Sequence, residues 1–339
     1  MSDRYAHIIA DVRETPWAIL PTKLLAITSL LELRAAGLTL NDADIRARIG
    51  GDPQGRPDIH VTANGVGVLP VFGVLSQRMN MMAAISGGTS TEQLAADFRA
   101  LRDDPKVSAI VLAVDSPGGS VYGIEELADE IRASRGIKPI VAVASSLAAS
   151  AAYWLAAQAD SVVVTPSGDV GSIGVFTAHQ DASGAADKMG VKTTLISAGK
   201  YKTEGNPFAP LTPEAHAALV ARVEACHERF VAGVAAGRGA SVDAVRNGYG
   251  EGRVLGARAA LAAGLVDRIA TLDSVIASLD ATAAAQQLRP AGARAALRAD
   301  TAAPLSQSTG TPHEPPATGH DRTPDEVWLL QCELDLLDL

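Results

Sequence analysis

An uncharged run, "PIVAVASSLAASAAYWLAAQA" from Pro139 to Ala159, constrains this chain more than any other stretch. It is long enough to span a bilayer. Alanine and serine, however, carry little driving force for insertion, and leucine-class residues are sparse in it. The β-branched residues of "IVAVA" give way to alanines partway along, the pattern of a buried strand feeding a helix. We therefore expect no membrane span, and the three serines of the run, Ser145, Ser146 and Ser150, become the question.

The surrounding sequence supports a strand-and-helix reading. "VGVLPVFGVL", "SAIVLAV", "DSVVVTP" and "VKTTLIS" read as further strands, and "STEQLAADFRALRDD" and "GIEELADEIRASRG" as amphipathic helices. "LTPEAHAALVARVEACHERFVAGVAAGRG" reads as a long helix, with Thr212 as cap, Pro213 at its first position and Glu214 against the dipole. Such alternation predicts an α/β domain with parallel pairing. We place it at residues 65–278. Residues 1–64 read as a helical extension, in which "PTKLLAITSLLELRAAG" carries a broad apolar face ended by Gly37 and "NDADIRARIGG" forms a second short helix. Residues 279–339 read as a flexible linker rich in Ala, Pro and Thr. An acidic tail, "EVWLLQCELDLLDL", closes the chain as a docking helix or a frayed end.

Charge and cysteine usage narrow the partners. A net charge of −9 without a long Lys/Arg run argues against a nucleic-acid surface. Cys226 and Cys332 lie far apart, so no disulfide framework is expected and a reducing cytoplasm fits. The first residues place acids and a proline where a secretory signal needs a basic patch and an apolar core.

Two stretches could carry chemistry. In "VDSPGGS", Gly118 and Gly119 let the backbone turn tightly and expose N–H groups, which we expect at the start of the helix "VYGIEELADEI". An ordinary strand-to-helix turn has the same composition. Ser150, flanked by Ala149 and Ala151, lies near the first turn expected of the helix "LAASAAYWLAAQA", with little bulk around its hydroxyl and the Ala151 N–H nearby. Ser145 and Ser146 fall at a strand end, where capping is the simpler role. A serine nucleophile needs a base. His179, Lys200 and Lys202 are the candidates, a lysine serving only where desolvation lowers its pKa. No metal-ligand cluster, P-loop or dinucleotide fingerprint occurs, so neither metal nor cofactor is expected.

Taken in order, "DSPGGS", "ASAAYWLAAQADSVVVTPSGDVGSIGV" and "GKYKTEGNPFAPLTPEA" resemble the signal peptide peptidase A (SppA) family of serine peptidases, over about Val66 to Ile269. "PWAILPTKLLAITSLLELRAAG", "ISGGTSTEQL" and "GNPFAPL" are similar to its phage-encoded branch, the capsid-assembly or prohead proteases. The resemblance implies a spiral of strand-strand-helix units related to the Clp protease subunit and crotonase, and rings of subunits. It implies Ser150 as nucleophile, Lys202 as general base, and Gly118, Gly119 and Ala151 as the oxyanion hole, with no metal or cofactor. His179 is a rival base by analogy with the Clp pair. Ala151 and Ala152 depart from the glycines common after the nucleophile, which narrows the space at the scissile bond. The expected partners are protein substrates, namely capsid or scaffold proteins in an assembling head in the host cytoplasm, and further copies of the chain. The alternatives are an SppA-like peptidase that degrades peptides, an acyl-CoA enzyme of crotonase type and a non-catalytic scaffold.

Overall fold

The computed structural model describes residues 9, 12, 15–38, 57–78 and 88–287. The short helix expected in "NDADIRARIGG", the end of the linker, Cys332 and the acidic tail lie outside these residues. The chain begins with β1 (Trp17–Ile19), α1 (Pro21–Ala35), β2 (His60–Val61), β3 (Val66–Phe72), β4 (Val74–Ser76), β5 (Gly88–Ser90) and α2 (Thr91–Asp103). It continues through β6 (Ala109–Ser116), β7 (Gly118–Ser120), α3 (Ile124–Ala133), β8 (Ile140–Ala149), α4 (Ala151–Ala156), β9 (Ser161–Val164) and β10 (Asp169–Gly171). After α5 (Ser183–Lys188) come α6 (Pro213–Arg238), α7 (Val242–Gly248), β11 (Val254–Gly256), α8 (Ala257–Ala263), β12 (Arg268–Ile269) and α9 (Leu272–Gln287).

The larger sheet runs β11-β10-β8-β6-β3-β2, with β9 also on β8 and β12 on β9. Its centre is parallel: β3 pairs with β6, β6 with β8, and β8 with both β9 and β10. Burial on both faces explains the unbroken apolar runs. Along β6, Ile110, Leu112 and Val114 enter the main core, while Ala109, Val111 and Ala113 meet Val275 and Leu279 of α9 across the sheet. The smaller sheet, β1-β7-β4-β5, receives the chain as it leaves β3 and β6. The sequences β3–β4–β5–α2 and β6–β7–α3 are therefore successive turns of one strand-strand-helix repeat. A mixed α/β fold with parallel pairing is what the alternation predicted.

Helix starts also follow their local signals. Ser90 Oγ accepts from Gln93 N–H at 3.3 Å to cap α2, and Thr212 Oγ1 accepts from Ala215 N–H at 3.1 Å to cap α6. Pro21 opens α1, whose Leu24, Ile27, Leu30 and Leu31 are buried.

Three local expectations are corrected. "VKTTLIS" is not a strand; residues 191–197 are exposed and lack regular structure, because no sheet edge among the described residues meets them. Gly118 and Gly119 do not open a helix; they lie in β7, and α3 starts only at Ile124 after Gly123. Ser145 and Ser146 do not cap, since β8 runs on to Ala149. The Ser146 hydroxyl instead donates to Asp115, and the Ser145 carbonyl accepts from Thr165 Oγ1 at 2.5 Å.

Candidate active site

Parallel strand β8 delivers its chain directly into α4, and Ser150 is the single residue of the junction. Its backbone stands at φ 56° and ψ −122°. That is the first central position of a type II′ turn, where glycine is the usual occupant. A serine there bears about 1–3 kcal/mol of strain, which the surroundings must hold in place. Ser150 N–H donates to Gly171 O at 2.7 Å, and Trp154 N–H donates to Ser150 O at 3.0 Å. A sharp strand-to-helix elbow of this kind presents a hydroxyl clear of the sheet.

Packing beneath α4 fixes the elbow. Trp154 stacks on Phe230 of α6 with ring centroids 4.7 Å apart and planes 7° from parallel. Tyr153 OH donates to Leu265 O at 2.8 Å, and Gln158 Nε2 donates to Gly233 O at 3.1 Å. Burial pushes the Tyr153 phenol far up, so it stays neutral. Arg135 closes the end of α4, donating to Ala159 O at 2.8 Å and Gly237 O at 2.6 Å.

Of the residues expected at the site, the structure brings Gly118, Gly119, Ser150 and Ala151 together. A Cβ on Gly118 would lie 2.9 Å from both Ala149 O and Ser150 Cβ, and φ +96° at this position also demands glycine. Gly118 N–H donates to Ser116 Oγ at 3.2 Å. Ser150 Oγ has its hydrogen bond with Gly174 O, at 3.4 Å, and the residue has no exposed surface.

The candidate bases lie elsewhere. Lys202 is exposed in a turn and lines a cavity of about 820 Å³ with His179, Asn206 and Phe208; Ser150 is not among the lining residues. His179 Nε2–H donates to Asn206 O at 3.2 Å, which occupies that nitrogen. Lys200 donates to Tyr201 OH at 2.7 Å and Glu214 Oε1 at 3.2 Å. Those bonds, Tyr201's foremost, raise its pKa and keep it protonated, so Lys200 is unsuited to act as a base. Among the described residues, no group of three or more His, Cys, Asp or Glu side chains could hold a metal. No helix of the described residues is long and apolar enough to cross a membrane.

Sequence reasoning overlooked two walls of the site. One is the segment Gly171–Phe176, whose Gly171 and Gly174 carbonyls hold Ser150. The other is β1, antiparallel to β7. The glycines of "GDVGSIG" were the available signal for the first; β1 has no local one.

Residues 132–286, which include the elbow and both candidate lysines, match the family model Peptidase family S49. Capsid assembly protease C of Escherichia phage lambda is 34% identical over 273 residues, 80% of this chain and 62% of that protein. Head-tail preconnector protein GP5 of Enterobacteria phage P21 is 35% identical over 231 residues, 68% of this chain and 46% of that protein. The chain thus spans about half to three-fifths of the length of these two relatives. Among solved structures, a ClpP1 variant from Listeria monocytogenes aligns with 61% of this chain and 92% of that chain, at 14% identity and a TM-score of 0.38. "Putative protease slr0021" of Synechocystis is 30% identical over 196 residues, 57% of this chain and 69% of that protein. Identity sustained over most of a relative's length, around a strained serine, is more than a shared turn can produce, and the chain belongs to peptidase family S49.

Proposed function

We propose that the chain is a serine endopeptidase of capsid maturation, acting on capsid or scaffold proteins during phage head assembly. The observation that carries the chemistry is Ser150 in a glycine-type conformation between β8 and α4, beside Gly118. In this reading Lys202 takes the Ser150 proton and the serine oxygen attacks a peptide carbonyl. N–H groups of Gly118, on leaving Ser116 Oγ, and of Ala151 serve the resulting oxyanion, Lys202 returns the proton to the leaving amine, and water releases the acyl group. The names of the two phage relatives support the substrate class and a place in the host cytoplasm within the assembling head.

Ser150 is buried, Lys202 is exposed, and no hydrogen bond joins them among the described residues, so in this reading the dyad is completed by assembly. Met189, Ile196, Tyr201 and Phe208 expose apolar surface around the Lys202 turn, and this surface supports a homo-oligomer in which a second copy covers it. The test uses a serine-reactive fluorophosphonate probe and cleavage of co-expressed capsid protein, read with Ser150→Ala and Lys202→Ala variants. Loss of cleavage in both variants is expected, with partial recovery when the two are mixed into common oligomers. Labelling and cleavage that are both indifferent to Ser150 would sink the peptidase reading in favour of an acyl-CoA enzyme or a silent scaffold.

A further inference from the structure

Both edges of β7, the strand that carries Gly118 and Gly119, are occupied. On one edge β4 pairs in parallel, Leu75 opposite Gly119. On the other, β1 pairs antiparallel, with Trp17 opposite Ser120, Ala18 opposite Gly119 and Ile19 opposite Gly118. Val121 N–H donates to Pro16 O at 3.3 Å and Leu20 N–H donates to Pro117 O at 3.0 Å. The alternation of an antiparallel ladder then makes Ala18 and Gly119 a hydrogen-bonded pair, so the Gly119 N–H is spent on the Ala18 carbonyl.

The far edge of β1 is held as well. Trp17 N–H donates to Phe176 O at 2.8 Å and Phe176 N–H donates to Trp17 O at 3.0 Å. Phe176 lies two residues beyond Gly174, which holds the Ser150 hydroxyl. A Cβ added to Gly118 would run into both the Ala18 carbonyl and Ser150 Cβ. An extended segment, bonded on both edges and passing a candidate nucleophile, is how a peptide added as a β-strand lies in a cleft. With this segment in place Ser150 has no exposed surface.

Building on the peptidase reading, we propose that Pro16–Leu20 is an internal occupant of the substrate groove, and that substrates are extended segments which displace it. The register also limits what can enter. Trp17 and Ile19 belong to the cluster of α1 and Val74, whereas Ala18, on the opposite face, is fully buried in the main core. A segment that replaces β1 therefore carries a small side chain at the Ala18 register. Because the groove is free only while β1 is out, apparent affinity falls by the fraction of open molecules.

The test follows a fluorescein-labelled peptide of residues 14–22, ETPWAILPT, binding to the full chain in a Ser150→Ala background. Adding Ala18→Pro removes the Ala18 N–H from the ladder and should tighten binding at least tenfold, with folding checked by denaturation. Equal binding by the two folded proteins, or binding by neither, overturns the proposal. Should Ala18→Pro fail to fold, amide exchange on the Ser150→Ala chain decides. Saturating peptide should speed exchange at Ala18 and Leu20 at least tenfold, and unchanged protection with peptide bound overturns the proposal. With Ser150 intact, hydrolysis of a fluorogenic form of the peptide separates the two ideas. Tighter binding without hydrolysis defeats the peptidase reading and leaves the occupant in place, and hydrolysis equally fast with and without Ala18→Pro defeats the occupant alone.

Discussion

Substituting Gly233 with alanine sets two effects of opposite sign against each other. In a helix interior the change ordinarily stabilises by about 0.5–1 kcal/mol, because glycine loses more backbone entropy on folding. Here the new Cβ would lie 2.9 Å from Trp154 Cε2 and 3.2 Å from Cζ2, and closer still to Nε1. The indole has no retreat: it is 3% exposed and stacked flat on Phe230. Forcing one methyl into such packing costs about 1–3 kcal/mol. The clash outweighs the helix gain, and a net loss of about 1 kcal/mol at the midpoints of these ranges, and at most about 2.5 kcal/mol, is expected. Trp154 N–H is bonded to Ser150 O, so the displaced α4 should also slow labelling of Ser150 by a fluorophosphonate probe. Urea midpoints and labelling rates measure both. Gly184 in α5 is the internal control, since nothing lies within 4 Å of a Cβ there and Gly184→Ala should stabilise by about 0.5–1 kcal/mol. If Gly233→Ala is as stabilising as Gly184→Ala, the packing argument linking α6 to the elbow is refuted.

The remaining predictions concern the same scaffold. Ser150→Gly should abolish probe labelling yet raise stability by about 1 kcal/mol, because the relieved strain exceeds the added chain entropy; a lower denaturation midpoint would contradict the strain. Arg135→Met should cost about 2–3 kcal/mol by leaving the Gln158, Ala159 and Gly237 carbonyls without their charged donor, read in the same unfolding assay. His227 is half-buried; burial foremost, then Arg246, depresses its pKa despite a bond to the Ile173 backbone. The unfolded chain therefore binds a proton at higher pH than the folded one. Stability should fall as pH drops from the ordinary histidine value, about 6.5, through the depressed folded value. His227→Gln should flatten the unfolding midpoint between pH 8 and pH 5, and an unchanged slope would assign the acid sensitivity elsewhere.

What could be read from the sequence follows the range over which each interaction acts. Capping and periodicity are settled within a few residues, and α2 and α6 begin at the caps that Ser90 and Thr212 supply. The strand-to-helix switch was legible for the same reason but not its place, since the β-branched residues end at Val143 while β8 runs on to Ala149. "VKTTLIS" carries the same β-branched signal, but a strand also needs an edge to join, and no local pattern reports whether one is vacant. Residues 191–197 reach no such edge and lack regular structure. Trp17–Ile19 shows the converse. Its three residues are too few to show a strand pattern, yet they pair across about a hundred positions because β7 and Phe176 leave a slot open on both sides. The same logic applies to Lys202. Its motif was readable, but its distance from Ser150 depends on where exposed residues 189–208 are held, and the apolar side chains exposed there are ones that a second copy would cover. Local chemistry thus singles out Ser150 as the candidate nucleophile, whereas what covers it is decided by which edges and surfaces remain unpaired once the sheets have formed.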